Sequence, residues 1–122
     1  MHAVAQTHAF DRAADHAGMT KDEIASLVEF LAENPTAGEE MPGTGGCRKV
    51  RVAGRGKGKS GGYRTITFYS GKNIPVFLIT VFSKGEKANL SRAECNALKN
   101  LTRAIVAEYG SKAISWGPKQ QA

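Results

Sequence analysis

The sequence predicts an α+β domain, a twisted antiparallel sheet packed by helices, and three observations carry that prediction. Two capping boxes, Thr20 to Glu23 and Ser91 to Glu94, open helices on either side of the chain's middle. Between them lie three stretches with strand character, Arg48–Val52, Tyr63–Tyr69 and Ile74–Phe82. Strands gathered in the middle and helices outside them give a sheet covered by two N-terminal helices and a C-terminal one.

The expected order is short strand, helix, helix, three strands, helix. The first helix is weakly signalled, over about Ala9 to His16, with Gly18 behind it. The second follows the Thr20 box, where Met19 and Ile24 can close a hydrophobic staple. Ile24, Leu27, Val28 and Leu31 then recur at i, i+3, i+4 and i+7, so one face is apolar, and Asn34-Pro35 ends the run. Arg48–Val52 alternates basic and apolar residues, the pattern of a half-buried strand. Gly54 to Gly62 holds five glycines and three bases and predicts a flexible basic loop. Tyr63–Tyr69 is rich in β-branched and aromatic types, Ser70-Gly71-Lys72-Asn73 makes a hairpin turn, and Ile74–Phe82 is mostly apolar. In the last helix the Ser91 box is stapled by Leu90 and Cys95. Leu98, Leu101 and Ile105 form its core stripe, and Gly110 predicts its stop. Residues 1–110 are thus one domain, and 111–122 a tail and candidate for disorder, with Trp116 expected to pack on the body.

At 122 residues and 41% apolar the chain has room for a single core. Its first ten residues lack the apolar run of a signal peptide. The longest apolar stretch, Ile74–Phe82, is broken by Pro75 and Thr80 and is too short to cross a bilayer. Cys47 and Cys95 have neither the number nor the clustering of a disulfide framework or zinc site. A soluble, cytoplasmic protein with no membrane contact is the expectation.

Charge is divided sharply by region. Residues 1–40 carry eight acids against Arg12 and Lys21, a net of −6. From Met41 to Gly85 there are nine bases and no acid, and from Glu86 onward six bases against three acids. A solvated Lys/Arg surface ordinarily interleaves Glu and Asp. An acid-free stretch of this length instead presents a positive field to a polyanion, nucleic acid foremost.

Other chemistries find little support. Ala53 to Ser60 satisfies a relaxed phosphate-binding loop ending Gly58-Lys59-Ser60, but Gly61-Gly62 and a strand follow it, where the loop needs a helix N-terminus. No acid stands nearby to hold magnesium. His2, His8 and His16 have no ligand spacing and read as surface residues, so no metal or cofactor is expected. The basic centre also lacks a histidine acid/base pair. If the chain acts on RNA, arginine and lysine must do the work.

Side chains alternate along a strand, so Lys49 and Arg51 share one face while Val50 and Val52 enter the core. Arg64 opens the next strand and Lys84 closes the last, and all four could converge on one concave surface. Attack by RNA's own 2′-hydroxyl needs alignment, positive charge where the phosphorane develops, and a proton donor for the leaving oxygen. Arginine offers a fork matched to two phosphate oxygens. A lysine among other cations can lose its proton more readily and act as base or acid. The same spacing also suits phosphate binding without cleavage.

Three strings carry a family resemblance: Gly43-Thr44-Gly45-Gly46-Cys47-Arg48-Lys49-Val50-Arg51, then Gly56-Lys57-Gly58-Lys59-Ser60-Gly61-Gly62-Tyr63-Arg64, and the run from Phe77 to Ser91. Together they resemble the HigB-like branch of the RelE/ParE toxin superfamily, over about His2 to Tyr109. The resemblance implies a RelE-like small domain and a type II toxin that inhibits translation as a ribosome-dependent mRNA endoribonuclease (an mRNA interferase). It implies the ribosome, mRNA and a cognate antitoxin as partners. Lys49 and Arg51 match strand positions that contact RNA, Arg64 matches the Gly-Tyr-Arg arginine at the scissile phosphate, and Lys84 matches a basic position after the last central strand. These four are the candidate catalytic residues. Arg48, Arg55, Lys57, Lys59 and Lys87 are candidate RNA-binding residues. Tyr69, like Tyr63, is available for base stacking, although strand aromatics more often belong to the core. Two departures stand out: Leu90 occupies the place of a catalytic tyrosine in better-studied RelE toxins, and the loop with Lys57 and Lys59 is longer than theirs.

Two other functions remain open at this point, a ParE-like DNA gyrase inhibitor and a non-enzymatic nucleic-acid-binding regulator. Bases on the central strands rather than a terminal helix favour the RNA-cleaving reading. All of it depends on the cations from Lys49 to Lys84 lying on one side of the sheet. An antitoxin covering that surface is expected to be acidic there.

Overall fold

Local capping signals set the helices. In the computed structural model, which describes residues 2–54, 62–71, 73–86 and 89–121 with side chains as far as Tyr109, β1 spans Val4–Gln6 and α1 His8–Ala17. Thr7 caps α1 by accepting a hydrogen bond from the Phe10 amide at 3.0 Å, while its hydroxyl donates to the Leu78 carbonyl at 2.8 Å. Gly18, at φ +80°, ends the helix in the left-handed conformation that glycine adopts freely. Helix α2, Lys21–Glu33, carries the predicted capping box: the Thr20 amide donates to Glu23 Oε1 at 2.8 Å and the Glu23 amide to Thr20 Oγ1 at 3.1 Å.

After β2 (Glu39–Glu40) come β3 (Cys47–Val52), β4 (Tyr63–Phe68), β5 (Val76–Ser83) and α3 (Arg92–Gln121). The second predicted box is formed as well, Ser91 N donating to Glu94 Oε1 at 2.8 Å and Glu94 N to Ser91 Oγ at 3.1 Å. The predicted stop at Gly110 is not observed; α3 runs through it to Gln121, so no helix end marks the predicted break between 1–110 and 111–122. A glycine weakens a helix by about 1 kcal/mol against alanine and does not by itself end one.

The sheet is ordered β1-β5-β4-β3-β2. Its three long strands are antiparallel, as predicted, and β2 adds an antiparallel edge to β3. The first strand corrects the prediction of a wholly antiparallel sheet, because β1 pairs with β5 in parallel. Between β1 and β5 lies the rest of the sheet and both N-terminal helices, the long connection that a parallel neighbour requires. Ile66 stands opposite Thr80 and Thr67 opposite Leu78, so Ile79 is an extra residue, a β-bulge.

Helices cover both faces. Phe10 and Ala14 of α1 and Leu27 and Leu31 of α2 meet Val50, Tyr63, Val76, Leu78 and Val81 on one face. On the other, Leu98 of α3 meets Cys47, Ile66, Phe68, Phe77, Ile79 and Phe82, with Ile105 and Tyr109 half-buried beside them. Leu101, predicted in the α3 stripe, is 40% exposed; Thr102 turns inward instead and donates to the Thr44 carbonyl at 3.2 Å. Gly45, at φ +79°, lets that loop approach closely, since a Cβ there would collide with Thr102 Oγ1.

Candidate nucleic-acid interface

Strand parity and register assemble the cations. Cys47 points into the core beneath α3, so Lys49 and Arg51 lie on that same face of β3. Ile66 and Phe68 point the same way from β4, and Arg64 shares their parity. The register puts Arg51 directly opposite Arg64, and Arg64 opposite Phe82. Pairing continues one residue past β5, where the Lys84 amide donates to the Gly62 carbonyl at 2.9 Å. Lys84 itself lies in the turn that follows β5, where strand alternation no longer sets the direction of a side chain. Three of the four cations expected on one side of the sheet, Lys49, Arg51 and Arg64, therefore share the α3-side parity.

That face changes character along its length. Its first row, Cys47, Phe68 and Phe77, is buried under α3. The next, Lys49, Ile66 and Thr80, mixes a half-buried lysine with a buried isoleucine. The third sets Arg51 directly opposite Arg64, with the buried Phe82 next to Arg64 on β5. Residues directly opposite on antiparallel strands have Cβ atoms about 4.5–5.5 Å apart, and like charges so placed repel. Among the described residues neither arginine has a carboxylate within ion-pairing distance. An anion between them would relieve the repulsion, and two planar forks fit the oxygens of a phosphate.

Beside Lys49 opens a cleft of about 340 Å³, lined by Glu39, Glu40, Met41, Leu90 and Cys95 among others. Glu39 stands directly opposite Lys49 on β2, so the edge of the acid-free stretch is met in space by acids from the N-terminal region. The sequence reading missed this, because β2 is two residues long. Leu90, the residue in the catalytic tyrosine's place, lines this cleft and packs against the α3-side core. Thr80, half-buried in the Lys49 row, also went unpredicted.

Other predicted residues lie elsewhere. Arg48 has the opposite parity from Lys49; its guanidinium sits 3.9 Å from Glu40 Oε1 and donates to the Gly38 carbonyl at 3.2 Å. Tyr69 packs beside the α1/α2 core with its ring edge-on to His2, centroids 4.8 Å apart. Tyr63 is 3% exposed, and its hydroxyl donates to Glu23 Oε1 at 3.1 Å, so it is a core residue and not a stacking platform. Burial, then Glu23, pushes its phenol pKa up. Arg55, Lys57, Lys59 and Lys87 lie outside the described residues, as does most of the loop resembling a phosphate-binding motif; β4 follows that loop directly. Cys47 is fully buried, and burial pushes its thiol up to about 11, which leaves it inert as a nucleophile at neutral pH. No helix among the described residues is long and apolar enough to cross a membrane.

The described residues form a small α+β domain whose sheet ends in a cationic row. Its family is shown by the family model described as the RelE toxin of the RelE/RelB toxin-antitoxin system, which matches residues 2–115. That match covers nearly the whole chain, and the chain belongs to the RelE toxin family. It is a toxin of a toxin-antitoxin system, with a cognate antitoxin as partner.

Proposed function

We propose that this toxin is a ribosome-dependent mRNA endoribonuclease of the HigB-like branch, acting in the cytoplasm on messages held in the ribosome. One observation carries the reading: Arg51 and Arg64 oppose each other across β3 and β4 without a carboxylate partner among the described residues, with Lys49 on the same face. In the proposed reaction the RNA's 2′-oxygen attacks the adjacent phosphorus and the bond to the 5′-oxygen breaks. The products are a 2′,3′-cyclic phosphate and a 5′-hydroxyl. Arg64 and Arg51 hold the non-bridging oxygens, where negative charge grows in the transition state. Lys49 and Lys84 serve the two proton transfers, from the 2′-hydroxyl and to the leaving oxygen. Leu90 can do neither, so the lysines carry a task that a tyrosine shares in other RelE toxins.

Arg64→Ala is the test. Primer extension on ribosome-bound mRNA should show cleavage slowed about 10²–10³-fold, the loss typical when one donor to a developing oxyanion is removed. Growth arrest on induction should be relieved, with circular dichroism unchanged. A fully toxic Arg64→Ala variant would overturn the site. Induction that damages DNA while messages stay intact would replace the reading with gyrase inhibition.

A further inference from the structure

The opposite edge of the sheet carries a second surface. Between β1 and α2 runs a groove of about 720 Å³, lined by Val4, Val28, Phe30, Ala32, Glu29 and Glu33 among others. Phe30 is 47% exposed, the most exposed of the large hydrophobic residues described. Its ring extends the apolar lining that Val4, Val28 and Ala32 give the groove, and a contiguous apolar patch rimmed by polar groups is what marks a docking surface.

Its charge is the reverse of the cationic face. Glu29 and Glu33 are four residues apart on α2, so both project from one side of the helix, and both are exposed. Neither has a cationic partner among the described residues. They belong to the N-terminal region whose net charge is −6. An apolar floor with an unpaired acidic lip selects a segment that carries apolar side chains flanked by lysine or arginine.

Backbone groups at the edge add a third element. Val76 N donates to the Ala3 carbonyl and Thr7 N to the Leu78 carbonyl, so the odd-numbered residues of this segment face β5. By alternation, the amides and carbonyls of Val4 and Gln6 point away from β5; the His2 amide on that side is already bonded to the Ala32 carbonyl of α2 at 2.8 Å, so an extended segment would pair beyond it, at Val4 and Gln6.

We propose that this groove is the docking site of a cationic, extended segment of the cognate antitoxin. The inference rests on the toxin reading only for the identity of the partner. Arg64 on β4 lies two strand spacings, about 10 Å, from β1, and Arg51 on β3 lies three, about 14 Å. Neither arginine lines the groove, so a segment confined to it leaves Arg51 and Arg64 uncovered. The antitoxin takes hold through charge opposite to that expected over the cationic face, and neutralisation comes from the rest of its bulk.

The probe is the purified protein encoded by the open reading frame beside this gene, titrated by calorimetry against the full-length toxin. Glu29→Lys/Glu33→Lys should weaken Kd at least tenfold, and Phe30→Ala by a smaller factor. Both variants should still arrest growth when induced alone, and the charge-reversed toxin should escape rescue by co-expressed antitoxin. An unchanged Kd in both variants would overturn the proposal. So would sedimentation showing a dimeric wild-type toxin and a monomeric Phe30→Ala variant, since the groove would then receive a second copy. Failure of the wild-type toxin to arrest growth would strike the proposed activity, whereas the titration reads the groove whatever the activity is.

Discussion

The two faces of the sheet are made from alternate residues of the same strands, yet one is closed along its length and the other only at one end. Beneath α1 and α2, β3 contributes Val50 and Val52, β4 Tyr63 with the buried Thr65 and Thr67, and β5 Val76, Leu78 and Val81; Arg48 is the one β3 cation on this side, and it is held by Glu40 and the Gly38 carbonyl. Beneath α3, the same strands begin with Cys47, Phe68 and Phe77 and finish with Arg51, Arg64 and Phe82. Stability is invested in the first face, and the second trades part of its burial for charge. The sharpest way to break this comparison is to hollow the closed face. Phe10 is 0% exposed and packs from α1 onto the sheet, so Phe10→Ala should cost about 3–5 kcal/mol, read as a lower urea midpoint at constant m. A loss below about 1 kcal/mol would mean that α1 is not part of the structural core.

Much of this division is legible in the residues themselves, where the signal is local. A capping box is four residues long, so both boxes could be read directly and both are formed. The alternation in Arg48–Val52 likewise separates Lys49 and Arg51 from Val50 and Val52 without knowledge of the partner strands. It also separates Arg48 from Lys49, which places Arg48 on the opposite face from the other strand cations. What escaped the sequence is non-local. Three-residue β1 and two-residue β2 offer no period to read, so neither the parallel pairing nor the meeting of Glu39 with Lys49 could be foreseen. The confrontation of Arg51 with Arg64 depends on register, which the long loop between β3 and β4 does not fix as a two-residue hairpin would. Thr102 replaces Leu101 at the α3 contact because the Thr44 carbonyl needs a donor there, a demand set by a loop remote in sequence.

A finer probe of the closed end of the α3 face is pH. Burial holds the Cys47 thiol in its neutral form, raising its pKa from 9.0 to about 11, while the hydrogen bond with Thr44 opposes the shift. Because the folded value lies above the unfolded one, the stabilising contribution is complete below pH 9. It is lost as pH rises from there toward 11. Over that window Cys47 should add up to ~1.4 kcal/mol per pH unit to the fall in stability. Cys47→Ala should flatten the alkaline slope relative to wild type, though it starts from a less stable fold. Parallel slopes for the two proteins would show that water reaches the thiol and that this end of the face is open.

At the open end the expected effect is smallest and opposite in sign. Arg51 is exposed and faces Arg64, so the native state carries a repulsion that the unfolded chain largely escapes. Arg51→Gln keeps most of the side chain's length and removes its charge. Stability should rise by about 0.2–1 kcal/mol in the urea midpoint, the range measured for cross-strand pairs. RNA affinity should fall meanwhile, and the slope of log K against log salt should shrink by about 1, as expected when one phosphate contact is lost. The pairing of these two readouts matters more than either alone. A surface arginine with no task would move neither by much, and one engaged in an ion pair would destabilise the fold when replaced. Only a cation held against its neighbour for the sake of an anion gives a tighter fold and a weaker grip together, and a destabilised Arg51→Gln variant would end the claim that the two faces divide stability from function.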